Sequence, residues 1–330
     1  MPTYSIFGEH LDSEITIPEL RRARTNGSSW SLRVTTGAPA SNHAELLGTL
    51  TIVKGVNARF YKLPNGYRLC SDDTGTFDIS RDGREIVWFR GPQASLDAAR
   101  SDILSHVLPL AFQAAGFLCL HGSAVCIDHK AIAFLAPSYH GKSTLAIAMA
   151  EVGARILADD VVAVDVGPPV IARPGVHSVR LLDDSARALI GEADRLRAVG
   201  AYPWPRRDQQ QIPAGEPMTT KQVLGSLPPD KLMLDAVPLV AIYLLRPVRD
   251  TGGADAATRT NLPPVRAALS LVEQAKSVAL LGKTEAPALF NRAVAVARNV
   301  PVYLLELVRE LHRLPDVARQ LTQWTRGGNS

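Results

Sequence analysis

Ala131-Ile132-Ala133-Phe134-Leu135-Ala136-Pro137-Ser138-Tyr139-His140-Gly141-Lys142-Ser143-Thr144-Leu145 decides how the whole chain is read. Its opening apolar run reads as a strand, which stops at a proline and crosses a short polar loop. Beyond the loop, Leu145, Ala148, Met149 and Val152 recur at helical spacing, and Gly153 stands where a helix commonly ends in a left-handed residue. Upstream, Leu118 to Ile127 reads as a strand and Asp128-His129-Lys130 as a tight turn. Downstream, Ile156-Leu157-Ala158 reads as a further strand that ends in Asp159-Asp160. This order of elements specifies an α/β fold with a loop leading into a helix.

The loop closes on Gly141-Lys142-Ser143-Thr144. In loops of that form, successive backbone N–H groups and a helix N-terminus surround phosphates, the lysine reaches the outer phosphate oxygens, and the next hydroxyl holds Mg²⁺. Ala136, Pro137, Ser138, Tyr139, His140, Gly141, Lys142, Ser143 and Thr144 are therefore candidates for binding a nucleotide. The first half departs from the pattern. Ala136 replaces the first glycine and tolerates positive φ poorly, Pro137 removes a donor, and bulky Tyr139 stands where related loops often have glycine. Paired acids beside such a loop can bind Mg²⁺ and take a proton from an attacking hydroxyl, which brings in Asp159 and Asp160.

Outward from this segment, the first hundred or so residues alternate in short runs: Ser31 to Thr35, Leu50 to Val53, Tyr67 to Cys70, Thr76 to Ser80 and Glu85 to Phe89. Asp82-Gly83 between the last two is a hairpin signal. Residues 1–100 thus read as a small β-rich domain, and residues 101–330 as the domain that carries the loop. Ile103, Val107, Leu110, Ala111 and Ala114 place a connecting helix over Leu96 to Ala115. Toward the end, Val237 to Leu245 and Val302 to Leu307 read as strands, a stripe from Leu289 to Val300 as a helix, and Pro315 as the start of a last helix. Residues 247–264 read as a mobile loop.

Composition excludes several classes. The chain of 330 residues is 46% hydrophobic and 21% charged, ordinary for a globular protein. Its net charge of +4 is scattered, with no basic block of the kind a nucleic-acid reader concentrates. The apolar stretch from Val107 to Leu120 is too short to span a bilayer comfortably. The three cysteines lack paired metal-site spacing, and the N-terminus lacks a basic, then apolar, export signal. The expectation is a cytoplasmic protein acting on neither nucleic acid nor membrane. Tyr202-Pro203-Trp204-Pro205-Arg206-Arg207 can be read either as a phosphate or acidic-peptide clamp or as a proline-rich surface loop.

His121-Gly122, a hairpin, the Gly141-Lys142-Ser143 loop, a helix and Leu157-Ala158-Asp159-Asp160 together resemble the catalytic domain of HPr kinase/phosphorylase and of HPr-kinase-like enzymes. The resemblance covers about residues 117–166, with Pro174-Gly175 and Val179-Arg180-Leu181 as a weaker continuation in which Asp183 or Asp184 adds a carboxylate. It implies a mixed sheet with flanking helices, a fold shared with phosphoenolpyruvate carboxykinase, and ATP and Mg²⁺ as cofactors. Carried over by position, Lys142 binds phosphates, Ser143 holds Mg²⁺, Asp159 is the catalytic base, Asp160 supports the metal or the base, and His121 lines the catalytic site. His140 has no assigned role. HPr kinases form rings, which leaves a homo-oligomer open.

The opening Phe7-Gly8, Ser13-Glu14 and Pro18-Glu19-Leu20 looks like the start of HPr-kinase-like proteins encoded with peptide biosynthesis clusters, some of which resemble lasso-peptide kinases. The resemblance therefore implies transfer of a γ-phosphoryl group to a serine of a peptide or small protein. An HPr kinase/phosphorylase, a small-molecule kinase, and a non-catalytic nucleotide-binding regulator stand as alternatives.

Overall fold

Along Glu85–Arg90, Ile86 and Trp88 are fully buried and their neighbours are less so, the two-residue period of a strand with one wetter face. The computed structural model describes residues 1–23, 29–41, 43–53, 56–176, 179–189, 221–224, 227–249, 255–276, 285–308 and 310–327. In it the same pattern builds a nine-stranded mixed sheet from β1 (Thr3–Ile6), β2 (Glu9–Ser13), β3 (Arg21–Arg22), β4 (Trp30–Thr35), β5 (Glu45–Val53), β6 (Val56–Leu63), β7 (Gly66–Ser71), β8 (Gly75–Ser80) and β9 (Glu85–Arg90). The order is β3-β1-β2-β4-β9-β8-β7-β6-β5, with β4 parallel to both its neighbours. The hairpin expected at Asp82-Gly83 forms, with Gly83 at φ +78°.

The helix expected over Leu96 to Ala115 forms as α1 (Leu96–Asp102) and α2 (Leu108–Ala114), joined by one wider π-helical turn over Ile103–Val107. Ser95 caps its start by accepting from the amide of Ala98. Its buried residues pack on the first sheet, where the Phe112 ring stacks on Trp30 at 4.4 Å between centroids and meets Phe7 edge-on at 4.5 Å.

The second sheet contains β10 (Leu118–Ile127), β11 (Lys130–Leu135), β12 (Arg155–Ala158), β13 (Val161–Asp165) and β14 (Ile171–Arg173). A separate ribbon pairs β15 (Val179–Leu182) with β16 (Lys221–Leu224). The sheet is completed by β17 (Val237–Val248), β18 (Ala257–Asn261) and β19 (Val302–Val308). Because β11 runs parallel to β17 as well as antiparallel to β10, the pairings β10-β13-β14-β17-β11 close into a circuit. Two left-handed residues, Asp128 and His129, make the tight β10–β11 turn.

Alternate residues of these strands face opposite layers. Val125, Ile132 and Phe134 pack against α3 (Lys142–Glu151) and, further along the chain, α7 (Leu314–Arg326). Ala124, Ala133 and Leu135 pack against α5 (Pro264–Glu273) and α6 (Ala286–Asn299); a short α4 (Asp183–Leu189) follows the ribbon strand β15. The result is a mixed α/β fold. No described helix is long and apolar enough to cross a membrane.

Two expectations need correcting. The helix after the loop has no single buried face: Leu145 through Ala150 are all buried, because α3 is enclosed by the sheet and α7, while Val152 is only half-buried. The span 247–264 is also not a plain loop, since Ala257–Asn261 pairs antiparallel with β19. Its polar sequence suits an edge strand with one wet face, and residues 250–254 lie outside the described residues.

Gly122 faces Leu135 across the β10–β11 pair. A Cβ there would stand 2.5 Å from Leu135 Cδ2 and 2.7 Å from the Phe134 carbonyl oxygen. Gly122→Ala should therefore lower stability by about 1–3 kcal/mol, seen as a lower urea midpoint at unchanged slope.

Candidate active site

Strand β11 delivers the chain into the 136–144 segment and α3 leads it away, so both ends of this loop are anchored in buried elements. The left-handed residues within it are Tyr139 at φ +66° and Gly141 at φ +84°; Ala136, expected to suffer in that role, is instead a buried residue just past the strand without positive φ. Tyr139 thus adopts a backbone conformation that costs a non-glycine residue about 1–3 kcal/mol. Gly141 caps α3, and its carbonyl accepts from the amide of Leu145 at 2.8 Å. The amides that open a helix have no intrahelical partner and form its positive end. The Lys142 ammonium bends back over the loop and donates to the carbonyls of Ala136 at 2.8 Å and Pro137 at 2.9 Å. His140 is exposed, with its Nδ1 donating to the Ser138 carbonyl at 2.9 Å.

The acidic pair does not end a strand in the usual sense. Ala124 faces Ala158 and His121 faces Val161, so β12 and β13 run along the same edge of β10 as one interrupted ladder, with Asp159 and Asp160 opposite Ser123 and Gly122. Asp160 takes φ +67°, a left-handed step that breaks the pairing. Asp is one of the residues that tolerate this conformation best. The Pro174-Gly175 segment backs the break: the Gly175 amide donates to the Leu157 carbonyl at 2.8 Å, and a Cβ at Gly175 would lie 2.8 Å from that of Ala158.

Consecutive residues then send their carboxylates to different partners. Asp159, 2% exposed, accepts at Oδ1 from Ser123 Oγ at 2.6 Å and from Ser143 Oγ at 2.8 Å. Asp160 Oδ2 accepts from Lys276 Nζ at 3.0 Å, and its Oδ1 lies 3.4 Å from His121 Nδ1. The same Nδ1 is 3.2 Å from the Asp160 carbonyl, which only accepts, so the imidazole proton sits on Nδ1. His121 Nε2 is buried without a hydrogen-bond partner among the described residues. Desolvation holds the His121 imidazole below its ordinary pKa, opposed by the hydrogen bond with Asp160, so the ring is neutral near pH 7.

A cavity of about 230 Å³ opens over these groups. The 138–144 part of the loop, His121, Asp159 and Asp160 line one side, and Pro247, Leu307, Val308, Leu311 and Leu314 line another. The structure thus brings His121, Lys142, Ser143, Thr144 and the two acids to one cavity. Arg206 and Arg207 lie outside the described residues, as do the side chains of Asp183 and Asp184.

Sequence reasoning missed Ser123, Ser185 and Lys276. Ser123 had a usable signal, being the residue after His121-Gly122 on a strand whose next neighbour in the ladder was foreseeable. Lys276 had none. It arrives because Gln274, Ala275 and Lys276 pair across sequence with β10: the His121 amide donates to the Gln274 carbonyl at 2.7 Å, Leu120 bridges Ala275, and the Lys276 amide donates to the Cys119 carbonyl at 2.8 Å.

Chemically, the arrangement places a cation, a hydroxyl and two carboxylates around one cavity at the start of a helix. No family model and no curated protein sequence matches the chain. Among solved structures, the HPr(Ser) kinase/phosphatase from Coxiella burnetii shows a structural resemblance, with a TM-score of 0.32 and 10% identity over 63% of this chain and 88% of that one. A likeness of that size carries no argument about activity, which must rest on the groups themselves.

Removing the Ser123 hydroxyl leaves the buried Asp159 carboxylate with one donor fewer. Ser123→Ala should cost about 1–3 kcal/mol in chemical unfolding.

Proposed function

We propose that this chain is an ATP-dependent phosphotransferase that moves the γ-phosphoryl group to a hydroxyl, with a serine of a peptide or small protein as the acceptor. The observation that carries this is the Ser143–Asp159 hydrogen bond of 2.8 Å, which joins the hydroxyl after the loop lysine to the acidic pair. In phosphate-binding loops, that hydroxyl and an acid from a neighbouring strand hold Mg²⁺ together. The terminal serine of a lasso-type peptide is the favoured acceptor on the sequence resemblance alone. Catalysis is assigned to residues 101–330, with residues 1–100 as a β-rich unit that shares a buried core with them.

The donor set suits Mg²⁺. Among the described residues, no cluster of three or more His, Cys, Asp or Glu side chains forms a full metal cage. Mg²⁺ is typically held by one or two carboxylates together with substrate phosphates, and it prefers oxygen donors such as Ser143 and the two acids. When bound, Mg²⁺ neutralises charge on the phosphate oxygens. The chain's own groups do the remainder. The amides at the start of α3 and the Lys142 ammonium bind the phosphates, and the apolar side of the cavity excludes water around them. A carboxylate of the pair takes the acceptor's proton. Little covalent work falls to the protein, so position and charge supply most of the acceleration.

The test is incubation with γ-labelled ATP, Mg²⁺ and a panel of serine-ending peptides, HPr protein and small alcohols. Transfer to one acceptor, lost by about 10²-fold or more in Lys142→Ala and Asp159→Asn, is the expected result. Tight ATP binding without transfer or hydrolysis would instead identify a nucleotide-binding regulator.

A further inference from the structure

Resting on the phosphotransferase reading, we propose that the two acids divide the work in the sense opposite to the one the family resemblance implies. Asp159 serves the metal side with Ser143, while Asp160, held in place by Lys276 and His121, faces the acceptor hydroxyl.

The geometry separates the two carboxylates. Asp159 is almost fully buried, and its Oδ1 receives both Ser143 and Ser123, so it is bonded directly to the hydroxyl that holds the cation in loops of this kind. A macromolecular acceptor has poor access to so buried a group. Both acids line the cavity, but the Asp160 side chain is 26% exposed, and its carboxylate is directed toward Lys276 and His121. A left-handed backbone at Asp160 breaks the strand between the two acids, whose carboxylates then meet different partners.

Lys276 is the positioning residue in this scheme. Its side chain is 13% exposed, and its backbone is fixed by pairing with β10, so the ammonium reaches Asp160 from a rigid base. It offsets the repulsion between adjacent acids and keeps the Asp160 carboxylate from swinging toward the metal. An ion-paired carboxylate is a weak base, but in a loose transition state the hydroxyl proton leaves late and orientation counts for more. In the step, the acceptor oxygen bonds to the γ-phosphorus, the bond from that phosphorus to the bridging oxygen breaks, its electron pair leaves with ADP, and the hydroxyl proton passes to Asp160.

Calorimetry of ATP binding with and without Mg²⁺ separates the roles without relying on turnover. Asp159→Asn should lose the Mg²⁺-dependent gain in ATP affinity by about 10- to 100-fold. Ser143→Ala should behave alike, and it supplies the same readout should Asp159→Asn fail to fold. Asp160→Asn should retain the Mg²⁺ gain while transfer to the serine-ending peptide, or to water if no peptide accepts, falls by about 10²- to 10⁴-fold. Lys276→Met should lower kcat with KM for ATP unchanged, and Lys276→Arg should restore it in part. Loss of the Mg²⁺ gain in Asp160→Asn with retention in Asp159→Asn overturns the division of labour alone. Absence of any Mg²⁺-dependent ATP affinity in the unaltered protein overturns the phosphotransferase reading as well.

Discussion

The antiparallel ladder between Leu118–Ile127 and the chain from Arg155 to Asp165 is the constraint on which the site depends. Both faces of this ladder are buried, so a slip of one residue would send each side chain into the opposite core layer along its whole length. Register is therefore fixed by packing far from the cavity. The interruption at Asp159-Asp160 inherits that precision, and Ser123, Ser143, His121 and Lys276 all find their partners across it.

Much of the local structure was legible in the sequence. Leu118–Ile127 forms over the expected residues because its apolar run and the turn after it are both local signals. The Asp82-Gly83 hairpin and the helix running from Leu96 follow from turn chemistry and periodicity in the same way. The loop candidates came from a short motif whose chemistry is carried by neighbouring residues, so one sequence window contained it. Thr3–Ile6 and Glu9–Ser13 were overlooked because they are short and partly polar, and they become strands only through the sheet they join.

What stayed hidden is long-range. Lys276 sits more than a hundred positions from Asp160, and nothing in its own neighbourhood marks it, since the contact arises only when a segment after α5 pairs with β10. The polar sequence of Ala257–Asn261 conceals a strand for a similar reason: Arg259 lies over the rings of Tyr303 and Trp324, which are distant in sequence and adjacent in the fold. The acidic pair was placed correctly after a strand, but its role as a break within a continuing ladder required the pairing partner to be known.

The left-handed backbone at Asp160 also narrows what that position accepts. Glutamate would keep the charge yet carries a longer side chain and a poorer fit to positive φ, whereas asparagine keeps the backbone and discards the charge. Conformation and chemistry thus select the same residue by separate routes. Drift at this position is confined to a very small alphabet, and on the proposed division of labour an asparagine there in a related chain would mark a protein that has kept the architecture and given up the transfer.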